Sequence, residues 1–137
     1  MNAIFLLQPK ENVVYLFEDN TVRRALQRMR EAGYTALPVI TRDGRYMGSI
    51  NEGDILRHIL ASGGTEEAWS EAAVSAVLPA QDRTPPARVD VPMEELLACS
   101  LNQNFVPVVD DRGTFIGIIT RQSILGYFTE QLHRQGS

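Results

Sequence analysis

Ala36-Leu37-Pro38-Val39-Ile40, continued by Arg42-Asp43-Gly44 and Tyr46-Met47-Gly48-Ser49-Ile50, decides the fold because the chain writes it twice. Further on, Phe105-Val106-Pro107-Val108-Val109 leads through Asp111-Arg112-Gly113 into Phe115-Ile116-Gly117-Ile118-Ile119. The proline, the turn glycine and the second glycine all recur 69 residues later. Each copy reads as a strand, a tight turn and a second strand. The nearly unbroken apolar runs at 37–40 and 106–109 predict strands covered on both faces. A helical pattern follows each copy, Ile55-Leu56-Ile59-Leu60 in the first and Ile124-Leu125-Phe128-Leu132 in the second, and predicts an apolar face.

The repetition extends upstream. Asp19-Asn20-Thr21 offers capping oxygens to a helix whose Val22, Ala25, Leu26 and Met29 share one face, and Gly33 stands where a left-handed cap closes it. In the second copy Pro92 suits a first helical position, with Leu96, Leu97 and Leu101 as the buried stripe. Short strands are expected at Val13-Val14-Tyr15-Leu16 and near Ala87-Arg88-Val89. Between the copies, Trp69, Ala72, Ala73, Ala76 and Val77 predict one further helix, followed by a proline-rich linker from Pro79 to Pro86. The fold class is therefore α/β, of the α+β type: tandem repeats, each strand-helix-strand-strand-helix, packed as a pseudo-two-fold pair. We expect residues 1–64 to hold the first repeat. Residues 65–137 then hold the inter-repeat helix, the linker and the second repeat, all in one integrated module.

Composition narrows the function. Of 137 residues, 44% are hydrophobic and 22% charged, an ordinary globular balance. A formal charge of −4 and no basic recognition helix argue against nucleic-acid binding. A single cysteine, Cys99, fits a reducing compartment, and its apolar helical setting favours a core position over a nucleophile. The opening run Ala3 to Leu7 is too short for a membrane span and lacks a secretory pattern, so a cytoplasmic protein is expected. There is no nucleophile elbow, Walker A loop or dinucleotide fingerprint. His58 and His133 have no spaced ligand partners, so neither a metal site nor an enzyme is expected.

The helix, the apolar-Pro-Val strand, the Asp-Gly turn, the second glycine and the polar-x-x-polar helix start, taken twice in order, resemble the cystathionine-β-synthase (CBS) repeat. The resemblance spans essentially the whole chain, including the lead-in Ile4-Phe5-Leu6-Leu7-Gln8-Pro9, which loosely matches Ser75-Ala76-Val77-Leu78-Pro79. It implies a two-repeat (Bateman) module, a homodimer, and an adenosine-containing ligand between repeats. Carried over by residue, a first site combines Asn12, Val14, Tyr34, Thr35 and Ala36 with Thr120, Arg121 and Ser123. A second combines Arg88, Asn104, Phe105 and Val106 with Asn51 and Asp54. In such a site a carboxylate or hydroxyl accepts from ribose, while an arginine or helix start holds phosphate. The first site, with Arg121, suits an anion; in the second, Glu52 repels one.

Gly33-Tyr34-Thr35-Ala36-Leu37-Pro38-Val39, with Asn104-Phe105-Val106 and Thr120-Arg121, is also similar to small stand-alone bacterial CBS proteins that bind cyclic di-AMP. It departs from them at Asn12, where that group has a lysine, and at Gln122, where it has a second arginine. AMP, ADP and ATP therefore stay beside cyclic di-AMP as the expected regulatory ligand. The resemblance implies a sensor that modulates a partner protein; the rival reading is a ligand-free dimeric scaffold. Each residue also has a structural role to weigh. Thr120 suits an N-cap, Asp54 a helix dipole, and Tyr34, Thr35 and Ala36 the packing of a strand end.

Overall fold

Proline at the centre of a strand restricts where neighbours can pair, since it offers no N–H to a ladder. Pro38 lies in β3 (Ala36–Ile40), which pairs antiparallel with β4 (Tyr46–Asn51). On its other side β3 runs parallel to β2 (Leu16–Phe17), whose pairing begins at Val39, one residue beyond the proline. The second copy does the same: Pro107 lies in β6 (Phe105–Val109), which pairs antiparallel with β7 (Phe115–Thr120), while the parallel β5 (Ala87–Arg88) begins at Val108. Both parallel pairings thus begin one residue past a proline, which has no N–H to give them.

The computed structural model describes residues 2–136, which form two compact units. One runs from Val14 to Arg83; the other joins the residues up to Val13 to those from Thr84 onward. These boundaries differ from the expected division at 64/65. The physical reason lies in the lead-in segments. In the discontinuous unit a strand β1 (Gln8–Pro9) pairs antiparallel with β7, and Ala3 N–H donates to the Val91 carbonyl at 2.9 Å. In the continuous unit the segment before the second repeat returns to the first: Val22 N–H donates to Ala72 O and Val74 N–H to Asn20 O. Ala3 and Val74 are fully buried in the respective cores.

In the continuous unit, α1 (Val22–Ala32) is capped by Thr21, whose side chain accepts from Arg24 N–H, and closes at Gly33, φ 73°. Val22, Ala25 and Met29 face a core with Leu16, Leu37, Val39, Ile50 and Ile55. α2 (Glu52–Ala61) buries Ile55 but leaves Leu56 and Leu60 exposed. The single helix expected through Val77 is broken. α3 (Glu66–Ser70) stops early and a 3-10 turn occupies Val74–Ala76, because the chain between them is tied to the start of α1, Ala72 O accepting from Val22 N–H and Val74 N–H donating to Asn20 O.

In the other unit, α4 (Met93–Ser100) starts one residue later than expected, with Pro92 as its cap. Leu96 is buried, but Leu97 and Leu101 are exposed, so the expected stripe reduces to one leucine. α5 (Arg121–Gly136) likewise buries Ile124 and exposes Leu125 and Leu132. Its core joins Leu96 and Ile124 to Val106, Val108 and Ile119. Cys99 packs partly buried against that core. No helix among the described residues is long and apolar enough to cross a membrane.

The two hairpin turns use different chemistry for one task. Thr41 Oγ1 accepts from Arg45 N–H at 3.0 Å, and Asp110 Oδ1 accepts from Thr114 N–H at 2.9 Å at the matching place. Backbone donation from Thr114 and then Arg112 holds the Asp110 carboxyl below its usual value. A depressed folded pKa contributes stability that is present above the unfolded value, about 3.9, and is lost as pH falls through the folded one. In a carboxyl NMR titration Asp110 should therefore have its midpoint below that of an unfolded aspartate, and an equal midpoint refutes the cap.

Gly48 and Gly117 both adopt φ near +155°, at 155° and 154°, which side chains rarely take. A Cβ at Gly117 would stand 2.1 Å from the Gln8 carbonyl oxygen, whereas at Gly48 its nearest neighbour is 3.7 Å away. Gly48→Ala should cost about 1–3 kcal/mol of backbone strain. Gly117→Ala should cost more and release β1, seen as faster amide exchange at residues 8–12. Equal melting shifts with β1 still protected would contradict this.

Candidate functional site

The antiparallel registers put the start of one strand beside the start of the next helix. In the continuous unit Ala36 faces Asn51, and Glu52 N–H, the first of α2, donates to the Thr35 carbonyl at 3.1 Å. In the other unit Phe105 faces Thr120, and Arg121 N–H donates to the Asn104 carbonyl at 2.9 Å. The same clasp thus closes both junctions. Each helix start is then capped by the last strand residue. Asn51 Oδ1 accepts from Asp54 N–H while Asp54 Oδ2 accepts from Asn51 N–H, both at 2.9 Å, a reciprocal capping box. Thr120 Oγ1 accepts from Ser123 N–H at 3.0 Å, and Ser123 Oγ donates back to the Thr120 carbonyl at 2.9 Å.

These contacts gather Val14, Thr35, Ala36, Asn51 and Asp54 at one end of the first sheet. Val14 comes level with that end because Leu16, two residues on, pairs with Val39. Tyr34 follows the α1 cap and is 53% exposed, its ring standing off the core. Asn104, Phe105, Val106, Thr120, Arg121 and Ser123 gather at the matching end of the other sheet, Val106 fully buried. Asn12 closes the 3-10 turn Lys10–Asn12 and is exposed.

Arg88 does not join them. Its partner in the ladder is Val109, so it sits at the far end of β6, about 13 Å along the strand from Phe105. The lead-segment residue that corresponds to Asn12 is instead Arg83, since each precedes its strand by the same interval, Asn12 before Leu16 and Arg83 before Ala87.

Electrostatically the two junctions differ. The Asp54 side chain is 3% exposed and is met by two guanidinium groups. Arg57 Nη2 donates to Oδ1 at 2.8 Å, and Arg83 Nη2 reaches Oδ1 at 2.7 Å and Oδ2 at 2.6 Å. Beside them Arg57, His58, Ala76, Val77 and Pro79 line, with Asp54, a cavity of about 270 Å³. His58 Nε2 lies 3.2 Å from the Trp69 carbonyl. The linker is further tied by Tyr46, whose hydroxyl donates to Asp82 at 3.4 Å. Burial first, and the Asp82 charge second, push the Tyr46 phenol above its usual range.

At the other junction the cation is Arg121, and its guanidinium is already engaged. Nε and Nη2 donate to the Ser100 carbonyl at 3.0 and 2.7 Å, Nη2 also to Leu101 O, and Nη1 to Asn104 Oδ1 at 3.0 Å. Arg121 therefore closes the C-terminus of α4, where a cation complements the helix dipole. The sequence pattern contained no sign of this contact, because it joins elements twenty residues apart. Arg121→Ala should lower stability by about 1.5–3 kcal/mol and speed amide exchange over residues 100–104. Arg121→Lys, which lacks the two-pronged geometry, should recover only part. Unchanged exchange in both variants would remove the cap.

Comparison with known proteins places these features in a wider set. The family model for the CBS domain matches residues 6–61 and 82–130. A crystal structure of CbpB in complex with c-di-AMP superimposes with a TM-score of 0.91 at 23% identity, covering 99% of this chain and 89% of that one. Listeria monocytogenes CbpB, also in complex with c-di-AMP, gives 0.81 at 25% identity over 93% of this chain and 94% of its own. CBSX2 in complex with AMP gives 0.77 at 21% identity over 94% and 96%. Two curated relatives are much longer. An A-adding tRNA nucleotidyltransferase of Aquifex aeolicus is 27% identical over 87% of this chain, and a homoserine O-acetyltransferase of Methanococcus vannielii is 24% identical over 87%. The chain spans only 14% and 23% of their respective lengths.

Proposed function

The chain belongs to the CBS domain family, and from that premise we propose that it is a non-catalytic cytoplasmic sensor that binds an adenine nucleotide and modulates a partner protein. The observation that carries this reading is the duplicated junction. Twice, a strand start is clasped by its backbone to a capped helix start. Such a place can meet a nucleoside edge with backbone groups and its hydroxyls with capping side chains. The likeness over nearly the whole chain to Listeria CbpB holding c-di-AMP supports the same ligand class.

The ligand is AMP, ADP, ATP or cyclic di-AMP. Its first set of contacts is Asn12, Val14, Tyr34, Thr35 and Ala36 with Thr120, Arg121 and Ser123. The second set is Asn51, Asp54, Asn104, Phe105 and Val106, without Arg88, which lies at the far end of β6. A homodimer fits the exposed apolar side chains of α5, Leu125 at 61%, Phe128 at 37% and Leu132 at 69%. For the occupancy to matter, the nucleotide must favour one partner-binding state over the other.

Calorimetry on nucleotide-stripped protein tests the reading. At least one of these nucleotides should bind at micromolar concentration, about −8 kcal/mol. Tyr34→Ala, at an exposed position, should weaken it about tenfold, the size of one aromatic contact. Silence with all four nucleotides to millimolar concentration would leave the scaffold reading in its place.

A further inference from the structure

We propose that Arg83 is a latch. It holds the Asp54 carboxylate closed to a ribose, so that this half of the module accepts a nucleoside only after the linker has let go. The inference rests on the nucleotide-binding reading above and adds a gate to one of its two sets of contacts.

A carboxylate accepts at about four lone-pair positions. On Asp54 all four are filled, Oδ1 by Arg57 and Arg83 and Oδ2 by the Asn51 N–H and Arg83. With the side chain 3% exposed, no face is left for a hydroxyl donor. The matching residue at the other junction, Ser123, carries no charge and meets no arginine: its hydroxyl turns back on Thr120. The closure is therefore confined to one half.

The plug is built to be removable. Arg83 comes from the linker, and its side chain is 46% exposed, so a competing hydroxyl pair can displace it without unfolding either element. When it leaves, Arg57 and the Asn51 N–H still hold the carboxylate, so the buried charge stays compensated. The adjoining cavity is also small in this state. At about 270 Å³ it falls below the range of about 300–1,000 Å³ usual for small-molecule sites. Pro79 forms part of its wall and belongs to the same linker, so release of Arg83 loosens a wall as well as freeing the acceptor.

Adenosine is the suitable probe, because it lacks a phosphate and cannot lose affinity through loss of a cation. A closed state taxes apparent affinity by the fraction of time the site is open. By calorimetry Arg83→Gln should tighten one class of adenosine site about tenfold or more, with Arg83→Lys between it and wild type. In wild type, saturating adenosine should speed amide exchange over residues 79–86. If AMP binds wild type while adenosine affinity is the same in wild type and Arg83→Gln, the latch is wrong and the sensor reading stands. Weaker adenosine binding in Arg83→Gln would make Arg83 a ligand contact and overturn the latch. If neither protein binds AMP or adenosine, the sensor reading falls and the latch falls with it.

Discussion

The backbone hydrogen bond from the first amide of each long helix to the residue before the central strand, Glu52 to Thr35 and Arg121 to Asn104, is what everything at the site depends on. A helix start ordinarily leaves its first amides without partners. Here the first is satisfied across the hairpin, and the third, that of Asp54 or Ser123, is taken by the cap, Asn51 or Thr120. This fixes where the helix begins relative to the strand. The register, Ala36 opposite Asn51 and Phe105 opposite Thr120, follows from the hairpin and sets every neighbouring group. One residue of slip would turn the capping side chains to the other face of the sheet.

On that common frame the two halves have acquired opposite electrostatics. One junction carries a buried carboxylate neutralised by two guanidinium groups, the other a neutral hydroxyl pair beside an arginine that closes a helix. The backbone is duplicated while the chemistry is not.

Much of this was legible in the sequence, and the reasons are local. A proline, a turn glycine and a second glycine constrain backbone geometry directly, so their recurrence announced both hairpins. Gly33 closed α1 as its pattern required, and Thr120 capped α5. The failures concern contacts over long sequence distances. Leu56, Leu101 and Leu125 carry helical periodicity but lie on exposed faces, because periodicity identifies an apolar stripe without saying what covers it. The helix read through Val77 ends at Ser70 because the chain after it is bound to the distant start of α1. Arg83 carries no sequence mark of its contact with Asp54, and Arg121 none of its helix-closing contact. In each case the partner is far away in the chain and no short pattern encodes it.

The placement of the lead-in strand has a consequence for how the chain comes off the ribosome. Residues 14–83 complete their unit within one stretch, so they can settle as soon as Arg83 has cleared the exit tunnel. β1 cannot: among the described residues it pairs only with β7, more than a hundred positions later. During synthesis the segment with Phe5 and Leu7 therefore waits unpaired until β7 arrives. Vectorial order alone lets residues 14–83 fold before the segments on either side of them are joined.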